Sequence, residues 1–182
     1  LVGEVRGAKK CAALIYSEDI FRPRLLAGIG GEAFVLEAAA MGVGTCWLQL
    51  FRRKALRVEV NAGERVAAVI ALGMPQDPDA EIVRKRKKLA QLCIGDPAGW
   101  PLWAYQAAEA VRQAPSAMNA QPWRLTYARH SLQLLGKAPD RLDAGIALLH
   151  MEAAAGDKKR LWEWGENGAV AHDSGGIPEY VR

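Results

Sequence analysis

Two prolines bracket a run of small polar residues at Pro115-Ser116-Ala117-Met118-Asn119-Ala120-Gln121-Pro122-Trp123. Each proline fixes its own φ and biases the residue before it, Ala114 or Gln121, toward extended backbone, so Ser116 and Asn119 belong to a stiff loop. One hydroxyl and one carboxamide can together donate and accept, which suits the edge of a flat heteroaromatic ring or a hydroxylated chain. The same residues also suit an ordinary helix-to-strand connection with local turn hydrogen bonds, and their spacing alone does not separate the two.

A second set lies upstream. Met41-Gly42-Val43-Gly44-Thr45-Cys46-Trp47-Leu48 follows an apolar helix-like run, and the chain passes through Phe51 to the strand-like stretch from Glu64 to Leu72, closed by Gly73-Met74-Pro75. The basic Arg84-Lys85-Arg86-Lys87-Lys88-Leu89 comes next. Taken with the proline-bracketed loop, these pieces resemble the nitroreductase family of flavin enzymes. That family's pattern has Ala-Pro-Ser-x-x-Asn-x-Gln-Pro-Trp, then Leu-Gly-Leu-Gly-Thr-Cys-Trp, a valine-rich strand ending in Gly-x-Pro, and an Arg/Lys-rich phosphate contact. All four elements are present, but the Pro-Ser loop stands last instead of first.

An internal repeat accounts for the order. Gly30 and Gly145, Leu36 and Met151, Glu37 and Glu152, the triplets Ala38-Ala39-Ala40 and Ala153-Ala154-Ala155, and Trp47 and Trp162 pair at one offset of 115 residues. Two copies of one unit are expected, residues 1–94 from the first and 95–182 a reduced second, with a linker in the Gly, Asp and Pro cluster at 95–100. The first copy's Pro-Ser loop then falls at or before Leu1, and the chain reads as a fragment that starts partway through copy one. It is similar to fused nitroreductase-like proteins in which two units in one polypeptide imitate a homodimer.

The elements that must position these residues alternate. Strands are expected over Cys11–Tyr16, Gly44–Trp47 and Arg65–Leu72, the last a β-branched apolar run. Helices are expected over Gly31–Met41, ended by Gly42, over Pro101–Gln113, and over Leu142–Ala155 with Ile146, Leu149 and Ala153 on one stripe. Lys87–Leu92 reads as a helical turn, Asp77–Glu81 as a polar loop, Trp123–Ala128 with Leu132–Leu135 as a hairpin, and Glu166-Asn167-Gly168 as the turn of another. The class is α+β: a mainly antiparallel sheet flanked by helices, nitroreductase-like, with the two copies forming a pseudo-dimer in one chain.

Composition bounds the function classes. The chain has 182 residues, 51% of them hydrophobic, enough for a real core. It contains no run of about 18 apolar residues that would span a membrane and no basic-then-apolar leader pattern. The net charge of +4 is concentrated in the basic run at 84–88, which argues against a nucleic acid partner. Cys11, Cys46 and Cys93 show no metal or redox spacing, and their odd number argues against a disulfide framework, so the cytoplasm is the expected compartment.

The resemblance implies FMN as cofactor, NAD(P)H as electron donor and a nitroaromatic, quinone or similar small molecule as acceptor. It further implies one composite site: Pro115, Ser116, Ala117 and Asn119 of copy two, with Trp47, Leu48 and Gln49 of copy one lining the ring and Arg84 and Arg86 on the phosphate. Guanidinium forks suit phosphate because they donate paired, charge-assisted hydrogen bonds. The run at 84–88 also reads as a solvated basic stretch. The family's Arg-Ser-x-Arg motif has no counterpart after Leu1, and Gly156-Asp157-Lys158-Lys159 replaces Gly-x-Gly-Thr in copy two, so a second flavin site is not expected. Surface left by an incomplete unit gives a reason for homo-oligomers.

The reaction needs no nucleophile or general base, and no catalytic residue or metal ligand is assigned. Cys46, in an apolar strand without basic neighbours, reads as a buried structural thiol. His150 reads as a satisfied core or interface histidine, His130 and His172 as solvated, and Asp140 and Asp143 as helix caps. Gly28-Ile29-Gly30-Gly31 lacks the context of a dinucleotide fingerprint. An alternative to the oxidoreductase is a flavin-binding or degenerate module without turnover.

Overall fold

The computed structural model describes residues 5, 7, 8, 10–77, 84–136, 141–156, 162–165 and 168–172. In chain order its main elements are β1 (Lys10–Ser17), α1 (Pro23–Ala40), β2 (Gly44–Leu48), β3 (Glu64–Gly73), α2 (Leu89–Leu92), β4 (Cys93–Ile94), α3 (Leu102–Gln113), β5 (Trp123–Ala128), β6 (Ser131–Gly136), α4 (Leu142–Ala155), β7 (Trp162–Gly165) and β8 (Gly168–His172). The α+β class holds. Two sheets stand where one was expected.

The β-branched run of β3 forms the centre of the first sheet, order β1-β3-β2, with both neighbours antiparallel. Trp47 faces Ile70 in that ladder, and Ala68 to Ala71 of β3 are buried. The second sheet runs β4-β5-β6-β8-β7, antiparallel except for the parallel β4–β5 pair. The expected β5–β6 hairpin forms with Arg129 and His130 both at positive φ, as a type I′ turn requires. β7 and β8 pair antiparallel up to Gly165 and Gly168, so the second expected hairpin forms too. Residues 78–81 of the polar loop, Glu166 and Asn167 of that hairpin turn, Asp140 and residues 157–159 lie outside the described residues.

α1 begins at Pro23, eight residues before the expected start. The helix runs through the glycines at 28, 30 and 31. At Gly28 the reason is packing: a Cβ there would lie 2.3 Å from the carbonyl oxygen of Leu142, and one at Gly145 would lie 2.0 Å from that of Leu25. The two contacts are reciprocal, so α1 and α4 cross backbone against backbone near their N-terminal ends. Gly30 has open space where its Cβ would be. Across the crossing Gly145 meets Gly28, whereas Gly30, its match at the offset of 115 residues, is not in this contact. α1 stops as expected at Gly42, whose positive φ lets Val43 N–H reach Ala38 O at 2.8 Å and Gly42 N–H reach Ala39 O at 3.0 Å.

One apolar core lies under the second sheet. Leu92, Val111, Leu125, Leu132 and Met151 are fully buried there, and Leu25 of α1 joins them. At about 1.5–3 kcal/mol for each large side chain, this cluster is the main favourable term fixing α3 and α4 against β5 and β6. Residues 89–94, just before the expected boundary at 94/95, pack in it: Leu92 is in the cluster and β4 pairs with β5.

Candidate active site

The crossing of α1 and α4 brings the starts of both helices to one cleft of about 330 Å3, lined by Tyr16, Arg24, Gln49, Val66, Ala67, Ala117, Arg141, Leu142 and Asp143. Its walls come from both halves of the chain: β1, α1, β3 and the end of β2 on one side, the loop after α3 and the start of α4 on the other. Gln49 and Ala117, two of the residues expected to share a site, line it together. A volume near the lower end of small-molecule sites and a mainly polar lining, with Val66, Ala67 and Leu142 as its apolar part, suit a small ligand that carries polar groups.

The proline-bracketed loop is held in an unusual conformation. Met118, Asn119 and Gln121 all have positive φ, a region side-chain-bearing residues seldom adopt; Ala114 is extended as expected, but Gln121 is not, because its N–H and side chain are held by Ser116 and Lys87. Hydrogen bonds from several directions over-determine it. Gln121 N–H donates to Ser116 Oγ at 2.9 Å, and Ala117 N–H donates to Asp143 Oδ1 at 2.9 Å. Lys87 N–H donates to Gln121 Oε1 at 2.8 Å, and Lys87 Nζ to Ala120 O at 2.7 Å. Asp143 thus braces the loop at the cleft rather than capping α4, a correction to its expected role; α4 has no side-chain cap.

The basic run meets this loop. Arg86 donates through Nε and Nη2 to Gln113 O, at 3.2 and 2.9 Å, and through Nη1 to Asn119 Oδ1 at 3.0 Å. Asn119 Nδ2 in turn donates to Lys85 O at 2.8 Å. Burial first, and then the like charges of Arg84 and Arg112, hold the Arg86 guanidinium below its ordinary pKa. Asn119 and Arg86 are therefore adjacent, but each uses its side chain on the other and on backbone. Arg84 is exposed, and Pro115 and Ser116 are half-buried beside Ala117.

Trp47 and Leu48 are half-buried on β2, outside the lining of the cleft. The indole N–H of Trp47 donates to Glu32 Oε2 at 2.9 Å, and the other oxygen of that carboxylate accepts from His150 Nε2 at 2.8 Å. Glu32 is only 2% exposed, so one buried carboxylate ties β2, α1 and α4 together. His150 is a satisfied interface histidine, as expected. Cys46 is exposed rather than buried, because alternation along this edge strand points it away from Trp47's partner side. Cys93 is the thiol with a shifted pKa, pushed up to about 11 by burial and then by Glu109.

Sequence reasoning missed Tyr16, Arg24, Arg141 and Asp143 as lining residues. A signal existed: Arg24-Leu25-Leu26-Ala27-Gly28-Ile29 and Arg141-Leu142-Asp143-Ala144-Gly145-Ile146 differ at one position in six. Among the described residues no group of His, Cys, Asp or Glu is placed to hold a metal ion, and no helix is long and apolar enough to cross a membrane.

Comparison with known proteins adds three findings. A family model described as "Putative TM nitroreductase" matches residues 8–155. The fold is similar to the crystal structure of a "putative nitroreductase" from Thermotoga maritima MSB8, with a TM-score of 0.71 and 24% identity over 94% of this chain and 78% of that one. A search of curated proteins found no match.

Proposed function

The chain belongs to the TM nitroreductase family, and on that premise we propose that it is an FMN-dependent oxidoreductase carrying electrons from NAD(P)H to a nitroaromatic, quinone or similar acceptor. The observation that supports this reading is the cleft in which Gln49 and Ala117 meet. Its donor set fits a flavin: the Gln49 carboxamide can donate and accept at a pyrimidine edge, Val66, Ala67 and Leu142 offer apolar surface to a ring system, and basic side chains are near for a phosphate. When bound, the flavin supplies two-electron chemistry between nicotinamide and acceptor. The protein's own part is to hold and orient. Glu32 fixes Trp47 and with it the end of β2 that leads to Gln49, and Asp143 holds Ala117 at the cleft. Pro115, Ser116 and Asn119 shape the loop in this reading, Leu48 backs Gln49, and Arg84 and Arg86 stand as the phosphate contact expected from the family pattern.

The reading extends to two nitroreductase-like copies imitating a dimer, to a cytoplasmic setting, to a small-molecule acceptor and to homo-oligomers. A second reading, a flavin-binding module without turnover, is favoured by one observation: the Arg86 guanidinium is already committed to Gln113 O and Asn119 Oδ1. Purified protein titrated with FMN separates them. The oxidoreductase gives a yellow complex bleached by NADH or NADPH and recoloured by a nitro compound or quinone. Flavin that binds but is not reoxidised by any acceptor leaves the module, and failure to bind FMN removes both.

A further inference from the structure

Aligned on their shared hexapeptide, α1 and α4 can be compared position by position. Leu25 and Leu142, Gly28 and Gly145, and Gly31 and Leu148 are buried in both helices. Three other pairs are opposites. On α4, Asp143, Ala147 and Met151 are buried, at 8%, 0% and 0% exposure, whereas their counterparts Leu26, Gly30 and Phe34 on α1 are exposed, Leu26 at 44% and Phe34 at 40%. Positions i, i+4 and i+8 lie one above another, so each set forms a stripe along its helix. The neighbours account for the contrast. α3 packs on α4, Ala147 and Met151 share a buried cluster with Ala104, Ala107, Ala108 and Val111 of α3, and Asp143 accepts from Ala117 in the loop that follows α3. Among the described residues no second helix packs on α1 as α3 does on α4, although the α1 stripe is apolar and uncharged throughout.

We infer that Leu26, Gly30 and Phe34 form a docking face for one further amphipathic helix of α3's pattern, with small apolar residues at i, i+3, i+4 and i+7, borne by a partner segment. The distance between packed helices is set by the side chains at their contact. Ala104, Ala107 and Ala108 let α3 lie close to α4, and Gly30, with open space where its Cβ would be, admits a helix at least as closely. Leu26 and Phe34, one turn to either side, supply the apolar surface that such a helix would cover. A second copy of this chain is a poor donor, because Ala104, Ala107, Ala108 and Val111 are fully buried in its own core. The inference uses the likeness of α1 to α4 and stands apart from the flavin reading, which the FMN titration decides.

Thiol alkylation tests this on the full chain. Gly30→Cys sets a thiol on the stripe where it meets no neighbour, and exposed Cys11 and Cys46 serve as internal references. The probe is a copy of this chain's own segment 100–116, fused ahead of residue 1 through a flexible Gly/Ser linker that keeps it at a high effective concentration. Alkylation of the introduced thiol, followed by peptide mass spectrometry, is expected to slow roughly tenfold in the fusion, while Cys11 and Cys46 react as before. A scrambled segment of the same composition is expected to protect nothing, and adding Phe34→Glu is expected to restore most of the rate. If Gly30→Cys fails to fold by circular dichroism, Leu26→Cys carries the same test from another exposed position of the stripe. Equal rates with and without the segment overturn the docking face, and so does equal protection by the scrambled segment. Protection of the unfused chain that grows with its own concentration assigns the stripe to a second copy and overturns the inference as well.

Discussion

Glu32 shows how much a single buried side chain fixes. Its two oxygens take one donor each, Trp47 Nε1 and His150 Nε2, so Glu32→Gln sets an NH2 against one of those donors. We expect a loss of about 1–3 kcal/mol, read as a fall in melting temperature of about 2–4 °C per kcal/mol for a chain of this size. An unchanged melting temperature would mean that the carboxylate is not the tie. Cys93 supplies the pH dependence. Its thiol is raised from 9.0 to about 11 in the folded chain, chiefly by burial, so between those values the unfolded thiol has ionised while the folded one keeps its proton. Stability is full below about pH 9 and declines toward pH 11. The Cys93→Ala chain should show a flatter melting-temperature profile over that window, whereas exposed Cys11 and Cys46 should alkylate first in the wild type at pH 8. At this scale the sequence was partly legible. The stiff loop and the satisfied His150 follow from local chemistry, but His150's partner lies 118 residues away, and nothing local could tell that Asn119 and Arg86 would spend their side chains on each other.

Among elements, the α1/α4 crossing yields opposed predictions for neighbouring glycines of one helix. Gly28→Ala pushes a Cβ into the Leu142 carbonyl, and Gly145→Ala into that of Leu25. Both meet rigid backbone, so each should cost about 1–3 kcal/mol or more. Gly30→Ala meets nothing and should stabilise by up to about 1 kcal/mol through helix propensity. Chemical denaturation of the three variants checks the signs, and a neutral Gly28→Ala would show that the helices are not in backbone contact. Element type was largely legible because β-branched runs and helical stripes carry their own periodicity, as β3 and α4 do. The start of α1 was not: a glycine that admits a neighbouring helix and a glycine that ends one are the same residue in a sequence. The one-offset repeat found the second half of each helix but missed the hexapeptide match, which runs at a spacing two residues longer.

Across the whole molecule, the two halves are not independent. Leu92 of the first half is fully buried in the second half's core, β4 pairs with β5, and Leu25 reaches the same cluster. Residues 1–94 and 95–182 made separately should therefore each lack native melting behaviour, and made together should recover it as a one-to-one complex by size-exclusion chromatography. An independently folded 95–182 would show that these contacts are dispensable. That dependence was hidden from the sequence, where the Gly, Asp and Pro cluster at 95–100 looks like a place to divide the chain. The same crossing also sets a schedule for biosynthesis. The first sheet can pair once Gly73 has left the ribosome, but the face of α1 that holds Gly28 waits for α4, more than a hundred residues later. At about 5–20 residues per second that is an interval on the order of ten seconds, during which a nascent helix with an open glycine groove must be kept from foreign partners.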